Sequence, residues 1–443
     1  MNNSTHIRLP LFFLLFNILL GALQATTRLH QEIAQHSKKL PVPSPSSPFG
    51  AKVLGVAALA WSKLPIQQSY AGRLNVPTNS KQTAELFFWM IPADDARGSK
   101  EITVWLNVDD ACSSLVGAFQ GTGPITMDPS TGVLKRNPYS WTRSSTMIYL
   151  DSIVNVGFSR GNATPKRSED IAQLVFNFLT SFLKVFPELE ASNLYLAALG
   201  YAGVYASYAA HIIYAQQSQL ALKLQGIIVL DAVVALAIYQ QHVPIAKYVT
   251  ENNDVFKFDP AKLKKLQANA MQCGYTEFLN KNLRYPPLAP FQNLTKMFKG
   301  SPPDLNLWNI RGKPELADFQ YQKLVYPGRP DVQKAFNLEG SQKWLLVQQA
   351  RKRTVIVNSQ WDATVAPEGT KLGIQGMNWS GKQGFQKPIN RSFMVAGKQA
   401  GKYQSERGLT YVEVANAGSM MPRDDGQATL AIFEYLVGHR PAL

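Results

Sequence analysis

What most limits the fold of this chain is a set of short, nearly unbroken apolar runs with strand character. They lie at 84–90 (AELFFWM), 102–107 (ITVWLN), 146–150 (TMIYL), 193–199 (NLYLAAL), 224–230, 354–357 and 409–414. A strand that is apolar on both sides must be covered on both faces, which favours a parallel sheet between two layers of helix. Helical patterns separate several of the runs. Ile171, Leu174, Val175, Phe178, Leu179, Phe182 and Leu183 make one apolar stripe. Ser168 is placed to cap that helix, Glu169 and Asp170 suit its positive end, and Pro187 stops it. Stretches 201–217 and 426–437 read as two more helices. The alternation predicts an α/β fold around a mostly parallel sheet. From about 239 to 332 it breaks into prolines, polar turns and short helical pieces, as expected of an inserted helical cap.

The N-terminus carries a second signal. Arg8 precedes an apolar run over 9–20, and the small residues Gly21, Ala22 and Ala25 follow. This reads as a secretory signal peptide over 1–25. The run is short for a bilayer span, and no later run is long enough, so no membrane span is expected in the mature chain. An N-terminal arm occupies 26–50, rich in Pro and Ser over 41–50 (PVPSPSSPFG), and 51–443 forms the folded domain. Sequons at Asn162, Asn293, Asn378 and Asn390 agree with a secreted glycoprotein. The vacuole is the alternative destination. Only two cysteines occur, Cys112 and Cys273. In an oxidising compartment they form one bridge or stay as buried thiols, and both readings stand open. The net charge is +15, but Lys and Arg are scattered outside two short runs at 262–265 and 351–353. That is a solvated basic surface rather than a nucleic-acid face.

Read for chemistry alone, the chain shows no G-x-S-x-G, no H-E-x-x-H, no phosphate loop and no cluster of metal ligands, so no cofactor or metal is expected. Six histidines are present. His6 falls in the signal segment, His30 and His36 in the arm, and His439 near the tail. His211 reads as a packed helix residue, and His242 has no visible partner.

A family resemblance enters at Trp105. The segment 105–114 (WLNVDDACSS) resembles the W-L-N-G-G-P-G-C-S-S segment of serine carboxypeptidases. In chain order, 68–72 (QSYAG), 87–89 (FFW), 137–141 (NPYSW), 157–159 (GFS), 201–203 (YAG), 273–275 (CGY) and 330–335 (PDVQKA) are similar to further segments of that family, closest to its fungal branch. The resemblance covers roughly 50 to the C-terminus. It implies an α/β-hydrolase fold with a helical cap, and a Ser-Asp-His triad that releases C-terminal residues from peptides or, in some plant relatives, transfers acyl groups.

Carried over position by position, the resemblance exposes departures. Where the family has G-E-S-Y-A-G, this chain has Ala198-Leu199-Gly200-Tyr201-Ala202-Gly203, which puts Gly200 at the serine position. Glycine offers no nucleophile. In the family's G-H-M-x-P frame, Ser419 stands at the histidine position, and serine is no base near neutral pH. The triad aspartate corresponds to Asp362, which reads on its own as an exposed loop acid. The oxyanion-hole donors fall at Asp109 and Tyr201. Asp109 and Asp110 bring negative charge to a place meant for a developing anion. The pair that reads a terminal carboxylate corresponds to Asn107, kept, and Leu199, in place of glutamate. The expected function is that of a secreted pseudo-peptidase keeping a cleft for a peptide or small ligand. The alternatives are an active carboxypeptidase or acyltransferase built on substitute residues, with Ser419 as displaced nucleophile, and a cation site made by Asp109, Asp110 and Asp362. Oligomeric state is not legible.

Overall fold

The computed structural model describes residues 54–56, 69–78, 81–94, 96–107, 113–128, 131, 133–235, 238–287, 311 and 353–443. The signal segment, the arm, Asp109, Asp110, Cys112, Asn293 and the 330–335 segment lie outside the described residues.

The strands of the main sheet are β1 (Leu54–Val56), β2 (Ser69–Asn75), β3 (Ala84–Ile91), β4 (Glu101–Leu106), β5 (Thr146–Leu150), β6 (Arg160–Gly161), β7 (Asn193–Leu199), β8 (Lys223–Leu230), β9 (Arg353–Ser359), β10 (Arg391–Val395), β11 (Lys398–Glu406) and β12 (Leu409–Val414). Their order across the sheet is β1-β2-β3-β5-β4-β7-β8-β9-β12-β11-β10, with β6 beside β3. From β5 to β12 the pairings are parallel. The strands outside that centre pair antiparallel. Every apolar run singled out in the sequence is one of these strands, and the parallel centre is built from them.

Alternate residues of the central strands feed two separate cores. One face carries Trp105, Tyr149, Ala197, Leu199, Ile228, Leu230, Val355, Val357, Val412 and Val414, and α7 (Gly426–Leu436) covers it. The other carries Val104, Leu106, Ile148, Leu196, Ala198, Ile227, Val229 and Ile356. It lies under α1 (Ser168–Val185) and α2 (Ala202–Ala215). The cap of α1 differs from expectation. Ser168 is its first helical residue, and Asp170 does the capping, accepting from the backbone N–H groups of Lys166 and Arg167 at 3.0 Å each. A carboxylate takes both donors at once and complements the helix dipole, which one hydroxyl cannot do.

Between β8 and β9 the chain leaves the sheet. Helices α3 (Ile245–Glu251), α4 (Pro260–Gln272) and α5 (Tyr275–Asn282) pack around their own apolar cluster of Tyr239, Val243, Tyr248, Val249, Phe256, Tyr275 and Phe278. The cluster continues into Ala363 and Ala366 after β9 and Leu372 of α6 (Pro367–Gly376), which seats it on the sheet. Among the described residues no helix is long and apolar enough to cross a membrane.

Phe433 of α7 stacks flat on Trp141, with ring centroids 4.1 Å apart and planes 7° from parallel. Trp141 in turn meets Trp105 edge-on. Phe433→Ala should cost about 3–5 kcal/mol, read as a lower urea midpoint at unchanged slope.

Candidate active site

The parallel register brings the ends of the central strands to one edge. Leu106 pairs with Ala198, Leu199 with Leu230, Leu230 with Val357, and Ser359 with Val414. The residues that follow, Asn107, Gly200, Asp231, the 360–366 loop and the 415–419 loop, therefore share the carboxyl edge of the sheet. In open α/β sheets this is where ligands bind.

Gly200 occupies the turn between β7 and α2. Its φ is +62°, in the left-handed region that a residue with a Cβ enters only at a cost. Its N–H donates to the Leu230 carbonyl at 2.8 Å, so the turn is fixed to the next strand. Gly203 lies against β8, and a Cβ there would stand 2.4 Å from Ala232 Cβ. The tight strand–turn–helix packing expected from Ala198, Ala202 and Gly203 is present. Tyr201 sits at the top of the turn, 36% exposed.

Asp362 corrects the sequence reading. It is 1% exposed rather than a solvated loop acid. Its Oδ1 accepts from Thr364 N–H at 2.6 Å, from the Thr364 hydroxyl at 2.5 Å and from Val365 N–H at 3.1 Å. The loop folds back over its own carboxylate and buries it. The 415–419 loop runs alongside. Trp361 N–H donates to the Ala417 carbonyl at 2.9 Å, and Asn416 N–H to Gln360 Oε1 at 3.1 Å. Ser419 is 7% exposed, and its hydroxyl has no hydrogen-bond partner among the described residues.

Two more buried groups at this edge have open hydrogen-bonding capacity. Asn107 is 3% exposed. Its Oδ1 accepts from Trp105 Nε1 at 3.1 Å, and its Nδ2 has no partner among the described residues. Gln120 is 2% exposed, and neither amide atom has a partner among the described residues. It lies on the helical turn Ala118–Thr122. A Cβ on Gly117 just before that turn would meet Trp105 Nε1 at 2.2 Å, and one on Gly121 would meet Pro422 Cβ at 2.5 Å. The turn thus bridges the Trp105–Asn107 side of the edge to the Ser419–Pro422 side. Leu199 is buried beside them and adds no polar atom.

Asp231 escaped the sequence reading. It ends β8, is 1% exposed, and accepts from Asn358 Nδ2 at 2.7 Å, from Ser359 N–H at 2.9 Å and from the Ser359 hydroxyl. Burial, and then the charge of Asp362, push its carboxyl well above the ordinary range. An acid closing an apolar strand one strand away from Asp362 was the available signal. Asp151, at the end of β5, is also buried. It accepts from Ser114 N–H and Phe158 N–H at 2.9 Å each, and burial pushes its carboxyl up to about 7.

Other sequence candidates fall elsewhere. His211 is an exposed residue of α2 rather than a packed one, because its helix presents it away from the sheet. It lines a groove of about 780 Å³ with Tyr208, Val229, Ile356 and Trp379, on the sheet's α2 face. Asn162, Asn378 and Asn390 are exposed. Cys273 is a half-buried free thiol. Among the described residues no group of His, Cys, Asp and Glu could hold a metal ion.

The serine carboxypeptidase family model matches residues 62–345 and 341–439. The chain belongs to the serine carboxypeptidase family. A probable serine carboxypeptidase of Arthroderma benhamiae is 27% identical, with 84% of this chain and 83% of that protein covered. Serine-type carboxypeptidase F of Aspergillus niger is 26% identical, covering 83% and 84%. The crystal structure of a prohormone-processing carboxypeptidase from Saccharomyces cerevisiae superposes with a TM-score of 0.66 at 18% identity, over 84% of this chain and 92% of that one. The fold is accordingly the α/β-hydrolase type of this family, with the sheet and flanking helices described above.

Two outcomes follow for this member. Gly200→Ser places a Cβ at positive φ and should lower stability by about 1–2 kcal/mol, measured by urea unfolding. Asp151 holds its proton in the folded state, so its contribution to stability is complete below about pH 4 and lost as pH rises through about 7. Glu368, Asp170 and Glu406 are shifted down, burial notwithstanding, by Lys371, by backbone Lys166 and by backbone Gln386 respectively. Their contributions are lost in strong acid. Thermal midpoints should therefore peak in mild acid, between about pH 4 and 6, and fall on both sides.

Proposed function

We propose that this family member is a secreted pseudo-peptidase that keeps a cleft for a peptide or small polar ligand and performs no covalent acyl transfer. The observation that carries the reading is Gly200 at the left-handed turn, where an acyl group would have to attach. An acyl-enzyme needs an oxygen or sulfur atom there, and the turn presents a methylene. Ser419 supplies no imidazole, and Asp362 has its Oδ1 engaged by its own loop. In the sequence, Asp109 and Asp110 replace neutral residues of the family's W-L-N-G-G-P-G segment, which weighs further against hydrolysis.

A cleft is supported by Asn107, Gln120 and Ser419. Each buried, unpaired polar group costs about 1–3 kcal/mol. A ligand offering both donors and acceptors, such as a peptide terminus, would recover that cost. The N-terminal signal pattern and the exposed sequons at Asn162, Asn378 and Asn390 support passage through the secretory pathway to the cell exterior, with the vacuole as the other end point. The scattered basic charge supports no nucleic-acid role.

The purified glycoprotein should remain unlabelled by a fluorophosphonate probe and should not turn over N-blocked dipeptides at acidic pH. Calorimetric binding of such dipeptides should weaken about tenfold in Asn107→Ala, as loss of one hydrogen bond to a charged terminus requires. Stoichiometric labelling, or turnover abolished by Ser419→Ala, would overturn the inactive reading. Absence of any binding would overturn the cleft.

A further inference from the structure

The groove of about 780 Å³ on the α2 face of the sheet lies between α2 and a small hairpin that follows α6. Its floor is made by Val229 of β8, Ile356 of β9 and Leu409 of β12. Its rim carries Tyr208 and His211 of α2 on one side and Trp379 of the hairpin on the other. The hairpin pairs Asn378–Trp379 with Lys382–Gln383. Ser380 and Gly381 turn it, at φ +46° and +77°, the two left-handed residues that a tight loop matched to strand twist requires. Trp379 is held firmly in place. Its Nε1 donates to the Glu406 carbonyl at 3.4 Å, its ring meets Phe385 edge-on at 5.4 Å, and the Arg407 guanidinium lies 4.0 Å from its centre.

The same turn carries a sequon. Asn378 and Ser380, its acceptor and its hydroxyl residue, are both exposed, and both line the groove. We propose that an N-linked glycan on Asn378 folds back into this groove, its first sugars packed between Trp379 and Tyr208 over the apolar floor. This rests on the secretory passage proposed above, during which such glycans are added. In that transfer the Asn378 amide nitrogen loses a proton and bonds to the sugar's anomeric carbon, as the bond from that carbon to a lipid pyrophosphate carrier breaks. The other exposed sequons, at Asn162 and Asn390, are not part of the groove's lining.

Three features point to a tethered sugar as the occupant. The first is surface chemistry. A pyranose has an apolar C–H face and a polar rim, and the groove matches it with an aliphatic floor, two aromatic rings and His211 at its edge. Aromatic side chains with a polar handle suit such half-apolar partners. The second is size. A cavity of this volume falls in the range filled by a drug-sized molecule, and two linked N-acetylglucosamine units are of that size. The third is attachment. A sugar joined at the rim is present at high effective concentration. It escapes most of the loss of freedom that a loose molecule of the same chemistry would bear on docking. Modest contacts to two rings are then enough to hold it.

Glycopeptide mass spectrometry of the secreted full-length protein, with timed glycan release by a peptide N-glycosidase, tests this directly. Asn378 should carry a glycan. In the folded protein that glycan should be released about tenfold more slowly than those at Asn162 and Asn390, because a docked glycan is cut only while it is out of the groove. The difference should vanish once the protein is denatured. Tyr208→Ala, at an exposed position of α2, should raise native release at Asn378 to the rate of the other sites, and the wild-type comparison decides the matter if that variant does not fold. A bare Asn378 beside a glycosylated Asn162 or Asn390 would overturn the proposal and leave the secretory reading standing. No glycan at any sequon would overturn both. Native release at Asn378 as fast as at the other sites, or undiminished protection in Tyr208→Ala, would overturn the docking.

Discussion

The parallel pairing of β4, β7, β8, β9 and β12 is the constraint on which the rest of the molecule depends. Because these strands run the same way, each must be left and re-entered by a crossover, and every strand end delivers its loop to the same edge. Both faces are then covered by helices, so the strands can be apolar on both sides and the edge alone is left for polar residues. Asn107, Gly200, Asp231, Asp362 and Ser419 follow five separate strands and still lie on one edge. No local interaction among them is needed to bring them together.

That edge is where the protein tolerates the features a core would reject. Asn107, Gln120 and Ser419 have buried atoms without partners among the described residues, Asp151 and Asp231 are carboxyl groups out of water, and Gly200 holds a left-handed turn. A domain survives such costs only when the surrounding packing is large. Here Trp89, Trp105, Trp141, Phe119 and Phe433 fill one face of the sheet, and Phe88, Phe178, Phe182 and Phe186 fill the other. Glycine at position 200 removes one of those costs, since the turn no longer forces a Cβ into a crowded conformation. The scaffold keeps the geometry of an elbow while shedding the strain that a reactive side chain would impose.

The central strands were legible because their apolar runs are long and lie in buried surroundings. The hairpin of β10 and β11 was not, because it sits at the rim and alternates exposed Arg391, Lys398 and Lys402 with buried Phe393 and Tyr403. Gly200 and Ser419 were visible as departures from family motifs, and both lie in loops at the carboxyl edge of the sheet. Asp362 was legible in position and misread in environment. Its burial comes from the Asx-type turn of Asp362-Ala363-Thr364, a pattern present in the sequence whose consequence depends on the helices packed over it. Asp231 belonged to no motif. Its partner Asn358 is more than a hundred residues away, and only the β8–β9 register makes them neighbours.

The long excursion between β8 and β9 has a bearing on how the chain is made. β8 leaves the ribosome about 120 residues before β9 does. At usual synthesis rates that gap lasts on the order of ten seconds. For that interval Ile227, Ile228 and Val229 form the raw edge of a half-built sheet, with their backbone donors and acceptors open to any neighbouring strand. Until β9 arrives, that edge is the part of the growing sheet most open to wrong pairing.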